Sequence, residues 1–470
     1  MNWKTIFKSL KNEDMRKRLL VVLGLVVVYR FLAHIPVPLA DPAQMKEVVS
    51  TAIGSTDLGG FLNLLSGGAI AQFSIVLVGL SPFITASVIS QLLTKAIPKL
   101  EELHKDGESG RRKIQQWTRI MTLPLAIVQS IAFIYILRQS VAAGGTATLE
   151  AATLSEWIIA VSAMSVGSML LMWLGEIMTE QGVGNGLSLL IFAGIVSQGP
   201  QFIQSFIGSV FSNPTGLNVF NWFTLPINPG PFLVFLVVAL VSLLVLYLLV
   251  KINEAQRVVT INYAKRVQGN SSYGGVKSIL PMKLIAAGVI PVIFAVAFLS
   301  LPSFIGQVLK ATGNAAYAGV ADKLIAWFAA PNPGAFTGQT WEAFIYPVLY
   351  FILVIAFTYF YTGIVFNSNE IAENLQKQGG FIEGVRPGVQ TEKYLSRTMN
   401  RLMLFGSLVL GLIAVLPYVG EYVLFALGYG SANGQIAIGG TGVLIVVSVG
   451  LEALRQINSR ALMVTYDDYK

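Results

Sequence analysis

Side chains able to do chemistry are scarce in this chain, and their spacing argues against most reactions. Cysteine is absent, which excludes disulfides, thiolate zinc sites and a Cys nucleophile. His34 and His104 are the only histidines, too few for a multi-His metal centre. Neither has a serine partner suited to nucleophilic chemistry, and no His-Glu-x-x-His run occurs, so both are read as structural or solvated. The run Gly182-Val-Gly-Asn-Gly-Leu-Ser188 has the glycines of a phosphate cradle, yet no strand precedes it and no Lys-Ser/Thr follows. It suits a hinge in which Asn185 reaches neighbouring backbone. Within the apolar stretches, apart from Lys and Arg at their ends, the charges are Arg30 and the near-terminal acids Glu156, Glu176, Glu342 and Glu452. The deep Asp-Glu-His relay typical of ion-coupled transporters is missing. No catalytic residue, metal or cofactor is expected. What remains is recognition.

Length and composition say where that recognition happens. Of 470 residues, 54% are hydrophobic and only 12% charged, against roughly 25% charged in a soluble domain. Such a chain belongs in a bilayer. Crossing the hydrocarbon takes about 20 mostly apolar residues, and ten stretches qualify: 19–37, 73–95, 119–138, 154–176, 185–209, 231–251, 282–301, 342–366, 401–419 and 437–457. With the N-terminus inside, the cytoplasmic segments hold 27 Lys and Arg and the outer loops four. That asymmetry predicts ten spans with both termini cytoplasmic. A charged stretch precedes span 1 and no small-residue cleavage site follows, so it reads as a retained span. Span 1 starts inside and span 6 outside, so five plus five in opposite orientation is expected, an arrangement common in transport folds. The predicted divisions are a segment 1–18, a first half 19–209, a second half 210–457 with cytoplasmic loops 252–281 and 367–400, and a tail 458–470.

Three segments depart from ordinary spans and loops. Between spans 1 and 2, glycine pairs flank a short apolar stretch: Phe61, Leu62, Asn63, Leu64, Leu65, Ser66, Gly67, Gly68, Ala69, Ile70 and Ala71. It is too short to cross. It is either a re-entrant helix buried from the outer side, where irregular backbone must lie against protein or a water-filled cavity, or a helix lying on the outer leaflet. Span 2 carries Ile84, Ser87, Val88 and Gln91 on one helical face, with Pro82 expected to bend the helix above them. Hydroxyls and an amide there face protein or water, though helix–helix packing explains them equally. Finally, Asn262-Tyr-Ala-Lys265-Arg266 and Phe381-Ile-Glu-Gly-Val-Arg386-Pro-Gly388 lie in long basic loops. These either only set topology or dock phosphate-rich RNA, an acidic protein or anionic lipid.

The motifs taken in order resemble the SecY family, central subunits of the Sec protein-conducting channel. The resemblance rests on Gly107-Glu-Ser-Gly-Arg-Arg-Lys113, Met172-Trp-Leu-Gly-Glu176, Gly184-Asn-Gly186, Ile191-Phe-Ala-Gly-Ile195, Asn262-Tyr-Ala-Lys-Arg266, Gly288-Val-Ile-Pro291, Arg386-Pro-Gly388 and Gly439-Gly-Thr441. These run across nearly the whole chain. Glu383 departs from the Pro of many relatives. The implied fold is all-α integral membrane: ten transmembrane helices in two pseudo-symmetric inverted five-helix halves around a central pore, with a short re-entrant plug helix at about Phe61–Ala71.

The resemblance also implies site residues. A pore ring falls on Ile84, Val88, Leu187, Ile191, Ile293 and Ile445; the pairs 84/88 and 187/191 are one helical turn apart and so stack on a face. Ser87, Gln91 and Asn185 become polar residues of a lateral gate between spans 2 and 3 and spans 7 and 8. Arg257, Lys265, Arg266 and Arg386 become docking residues for a SecA-type ATPase motor or a ribosome, through its rRNA phosphates and proteins. SecE-like and SecG-like small membrane subunits, preprotein and signal-sequence substrates, and membrane lipids complete the implied partners. Motif details favour a bacterial plasma (inner) membrane, with a plastid relative as the other origin. A secondary transporter of small solutes with an inverted repeat is the alternative function, and an intramembrane enzyme a third.

Overall fold

The computed structural model describes residues 13–38, 67–69, 72–144, 153–211, 217–219, 223–225, 229–263, 266–268, 271–273, 277–285, 288, 290–311, 315–329, 331, 341–426, 442 and 445–459. The helices are α1 (Glu13–Leu32), α2 (Ser81–Ala96), α3 (Pro98–Lys105), α4 (Glu108–Gly144), α5 (Leu154–Glu180), α6 (Gly186–Phe211), α7 (Pro229–Glu254), α8 (Ile290–Ala311), α9 (Ala315–Phe328), α10 (Ile345–Val365), α11 (Ser368–Lys377), α12 (Val389–Ala426) and α13 over 445–459. Each apolar stretch named from the sequence overlaps one of them. Among the described residues, five segments are long and apolar enough to cross a membrane: Glu108–Tyr135, Leu154–Glu180, Ile290–Lys310, Trp341–Lys377 and Val389–Gly420.

Local chemistry sets several boundaries. Pro82 starts α2 rather than bending it: proline lacks the N–H that the first turn leaves unbonded anyway. The residues before it, 72–80, are a run of turns. The same helix stops where Ile97 turns extended ahead of Pro98. Glu156 closes the start of α5, accepting from the Thr153 N–H at 2.8 Å. Span 7 begins at Ile290, eight residues later than expected, because Lys277–Lys283 is a strand and Gly288 takes a positive φ of 62° between the two. The 14-residue α9 has no counterpart among the predicted spans.

Helices pack largely in chain order. In the first half α1 lies on α5 and α6, α2 on α4, α4 on α5, and α5 on α6. In the second, α8 packs on α10, α10 on α12, and α7 on α12, with α9 against α8 and α10. The halves meet where α8 contacts α2 and α4, and where α7 contacts α6. One apolar core joins them, running from Val22 and Tyr29 through Leu171 and Leu190 to Val296, Tyr350 and Val449.

The basic loops add strands to an otherwise helical chain. In them β3 (Gln256–Tyr263) pairs antiparallel with β6 (Lys277–Lys283) from Gln256↔Lys283 to Asn262↔Lys277, and on its other edge with β7 (Gly380–Ile382) from Ile261↔Ile382 to Tyr263↔Gly380. Between them β4 (Arg266–Gln268) and β5 (Ser271–Tyr273) form a hairpin, and β1 (Leu217–Val219) pairs with β2 (Phe223–Leu225) elsewhere. Thus the two loops, over a hundred residues apart in sequence at their pairing, form one sheet. Its inner face buries Val259, Met282 and Ile382 against Leu395, Met399 and Met403 of α12, a second small core.

Candidate functional site

The six aliphatic positions singled out from the sequence come from four helices in both halves. Ile84 and Val88 lie on α2, Leu187 and Ile191 on α6, Ile293 on α8 and Ile445 at the start of α13. Five are buried, with Ile191 and Ile445 each 2% exposed, and Leu187 is half-buried against the others; all share one contiguous cluster. What the six share is membership of one apolar core that draws on both halves. Gly175 lets α5 close on this core, because a Cβ there would lie 2.9 Å from Leu187 Cδ2.

Of the proposed plug, residues 61–66 and Ile70 and Ala71 lie outside the described set, whereas Gly67, Gly68 and Ala69 belong to it. Gly67 has φ +66°, and a Cβ on it would collide with the Tyr29 hydroxyl and sit 2.8 Å from Gly194 Cα. Backbone therefore touches backbone between this stretch and α6. Arg30 Nη1 donates to Gly67 O at 2.6 Å, so the one cation inside span 1 holds this backbone. His34 is exposed, and one of its ring nitrogens lies 2.8 Å from Arg30 O. The run that follows is pinned on both sides. Val37 N–H donates to Phe73 O, Ile75 N–H to Ile35 O, and Ser74 Oγ to Leu32 O, all within 3.0 Å. On the far side Ser168 Oγ of α5 donates to Gly79 O at 2.8 Å. Phe73, Val76 and Leu77 are essentially sealed from solvent. Irregular backbone is thus buried in protein with several of its polar groups paired, as tolerating it at membrane depth requires.

On α2, Gln91 Nε2 donates to Ser87 Oγ at 3.2 Å. Its Oε1 is buried with no partner among the described residues. Asn185 has a different employment: its Oδ1 accepts from Leu187 N–H (3.1 Å) and Ser188 N–H (3.3 Å), capping α6. Gly186 N–H meanwhile reaches Thr179 Oγ1 at 2.8 Å, so the glycine run is the tight turn from α5 into α6.

Of the basic positions, Arg257 lies exposed on β3 and Arg386 exposed at the turn between β7 and α12, where Thr391 Oγ1 holds Arg386 O at 2.9 Å. Arg266 opens β4, and Lys265 lies outside the described residues. Sheet pairing thus brings Arg257 and Arg386 onto one unit. In the loop between α2 and α4, burial holds the His104 imidazole on α3 below its ordinary range, with Arg111 and Lys95 pushing the same way and Glu101 opposing.

Two clamps escaped the sequence because their partners are far apart. Arg119 Nε meets Glu176 Oε1 at 2.7 Å, tying α4 to α5 with the carboxylate side chain only 11% exposed. Arg455 donates to Asn253 Oδ1 (2.8 Å) and Asn253 O (2.5 Å), fastening α13 to the end of α7. The sheet was more legible: Gln256-Arg-Val-Val-Thr-Ile-Asn-Tyr263 is rich in β-branched residues and buries alternate ones, the period of a half-buried strand.

Comparison with known proteins follows the same architecture. The SecY family profile matches residues 74–454. The protein translocase subunit SecY of Streptomyces coelicolor is 38% identical over 466 residues, covering 98% of each chain. Two solved structures share the fold. One, described as showing that the plug domain of SecY stabilises the closed state of the translocation channel, has a TM-score of 0.58 at 19% identity, covering 94% of this chain and 91% of that one. The other, an idle yeast Ssh1 complex bound to the yeast 80S ribosome, has a TM-score of 0.60 at 15% identity, covering 93% of this chain and 88% of that one. A profile spanning most of the chain, with a near-full-length relative, settles the affiliation: this chain belongs to the SecY family.

Proposed function

We propose that this chain is the channel of a protein translocase, passing unfolded secretory polypeptides across the plasma membrane and releasing hydrophobic helices sideways into lipid. One observation supports it: aliphatic side chains from both halves belong to one apolar cluster, and α2 and α8 pack against each other. Both features fit a closed pore with a side door. The ring is Ile84, Val88, Leu187, Ile191, Ile293 and Ile445, and it gives a sliding backbone nothing to bond. The segment about Phe61–Ala71 plugs the outer funnel, its end held by Arg30 and packed on Gly194. Ten spans in two inverted halves, with both termini cytoplasmic, complete the architecture.

This door is poised to open. Gln91 Oε1 is buried without a donor among the described residues, and a gate wetted on opening would supply one. Ser87 and Asn185 are the other polar groups of the gate. A helix leaves through it because lipid stabilises favourable residues by roughly 0.3–0.6 kcal/mol each, whereas a central Lys costs about 2.5–3.5.

Driving energy comes from outside the chain. Arg257, Lys265, Arg266 and Arg386, gathered on the cytoplasmic loops, receive a SecA-type ATPase or a ribosome, and SecE-like and SecG-like subunits complete the complex. The fold shared with a ribosome-bound complex supports the ribosome as partner. The relatives' description as a translocase subunit favours polypeptide over small solutes. The test reconstitutes the chain with its partners in vesicles. Protease-protected secretory precursor is the predicted result; saturable uptake of a small solute with no protected precursor would favour the transporter instead.

A further inference from the structure

At 1.5 Å per residue the 38 residues of α12 span about 57 Å, well beyond a hydrocarbon core of about 30 Å. Its first turns therefore stand clear of the hydrocarbon, at the end that the charge distribution puts on the cytoplasmic side. One face of these turns is occupied, with Leu395, Met399 and Met403 buried beneath the sheet. Lys393, Arg397 and Arg401, at four-residue spacing, form a stripe on the opposite face, and all three are exposed.

Some exposed cations find carboxylates, as Lys17 has Glu13, Lys310 has Asp322 and Lys377 has Glu373. Lys393, Arg397 and Arg401 make no ion pair among the described residues. Three unneutralised like charges on neighbouring turns repel one another and call for an anion. They line a groove of about 810 Å³ between α12 and Tyr359 of α10, with Ser396 and Asn400 adding hydrogen-bonding groups. Glu392 is the one carboxylate in the lining and leaves it net positive.

What lies below the cations selects the anion. Leu404 closes the groove, and Leu408 and Leu412 continue the same face, all three exposed. The stripe thus passes from cations to aliphatics where the helix enters the bilayer. A soluble phosphate has no use for the aliphatic part, and an acidic protein helix lying on the surface would not reach it. A phospholipid has both parts in that order. We propose that this groove is a binding site for an anionic phospholipid of the cytoplasmic leaflet, its phosphate on Lys393, Arg397 and Arg401 and its chains along Leu404, Leu408 and Leu412. Because the sheet rests on the other face of the same helix, the bound lipid fixes the height of the loop surface above the membrane. The proposal goes beyond polypeptide conduction and stands without it.

The test places the full-length chain, alone and in the complete complex isolated from membranes, in phosphatidylcholine nanodiscs with a minor share of photoactivatable phosphatidylglycerol, and maps adducts by mass spectrometry. Adducts at 393–404 are expected, falling about thirtyfold in Arg397→Gln/Arg401→Gln and about fivefold in Lys393→Gln, with adducts elsewhere unchanged. If the double variant fails to fold, the single one decides. Equal labelling by photoactivatable phosphatidylcholine would overturn the proposal, as would displacement by inorganic phosphate or an undiminished signal in the folded variant. Labelling of the isolated chain that disappears in the complex would assign the face to a protein partner and overturn it as well.

Discussion

Gly194 shows how one hydrogen in place of a methyl holds a state. A Cβ there would sit 3.0 Å from the Tyr29 hydroxyl and 3.1 Å from Gly67 Cα, so a branched side chain must push the 67–69 stretch off α6. Overpacking of this kind costs about 1–3 kcal/mol. Gly194→Val is expected to loosen the closed state and raise ion leakage from reconstituted vesicles, with Gly194→Ala milder; a Val variant as ion-tight as the parent would contradict the contact. His104 supplies a pH prediction. Its folded value lies below the ordinary one near 6.5, so the unfolded form binds more protons and stability rises with pH. The contribution is present above about pH 6.5 and is lost as pH falls through that value toward the folded one. Amide protection over 98–111, with the intrinsic pH dependence of exchange divided out, is expected to fall on acidification in the parent and to lose that dependence in His104→Gln; equal profiles would refute it. Neither effect was legible in the sequence. Gly194 and Gly67 are 127 positions apart, and burial of His104 depends on how α3 folds back on α4.

At the scale of elements, the hydropathy pattern locates helices well and their ends poorly. Apolar runs mark where lipid or core must be, but Gly288, Pro82 and the strand at Lys277–Lys283 decide where helix begins. Those are backbone constraints that a hydropathy count does not register. The loops illustrate the gain: what reads as two basic connectors is one sheet, so Arg257 and Arg386 sit on a unit braced by α12. Arg386 is exposed at its tip. Arg386→Glu is expected to change stability by less than about 0.5 kcal/mol. Motor-driven export should fall about tenfold, the size of one lost charge-assisted contact of about 1.5 kcal/mol. Precursor protection measured alongside thermal unfolding checks both halves of that statement, and unimpaired export by a fully assembled channel would remove the residue from the docking surface.

Across the whole molecule, the ordering of motifs was enough to place the chain in its family, while the meeting of the halves needed coordinates. Ile84, Val88 and Ile191 stand one turn from their partners on single helices, which spacing reveals; that Ile293 and Ile445 fall in the same apolar core as these is a tertiary fact. The central claim is that a polypeptide passes through this cluster. Because the chain has no cysteine, a single one at Ile191 can carry a thiol-directed photocrosslinker without background. With a secretory chain stalled in membranes that hold the partner subunits, adducts are expected at Ile191 and none when the probe moves to lipid-facing Leu243. Engagement of the stalled chain with no adduct at Ile191 would contradict the account.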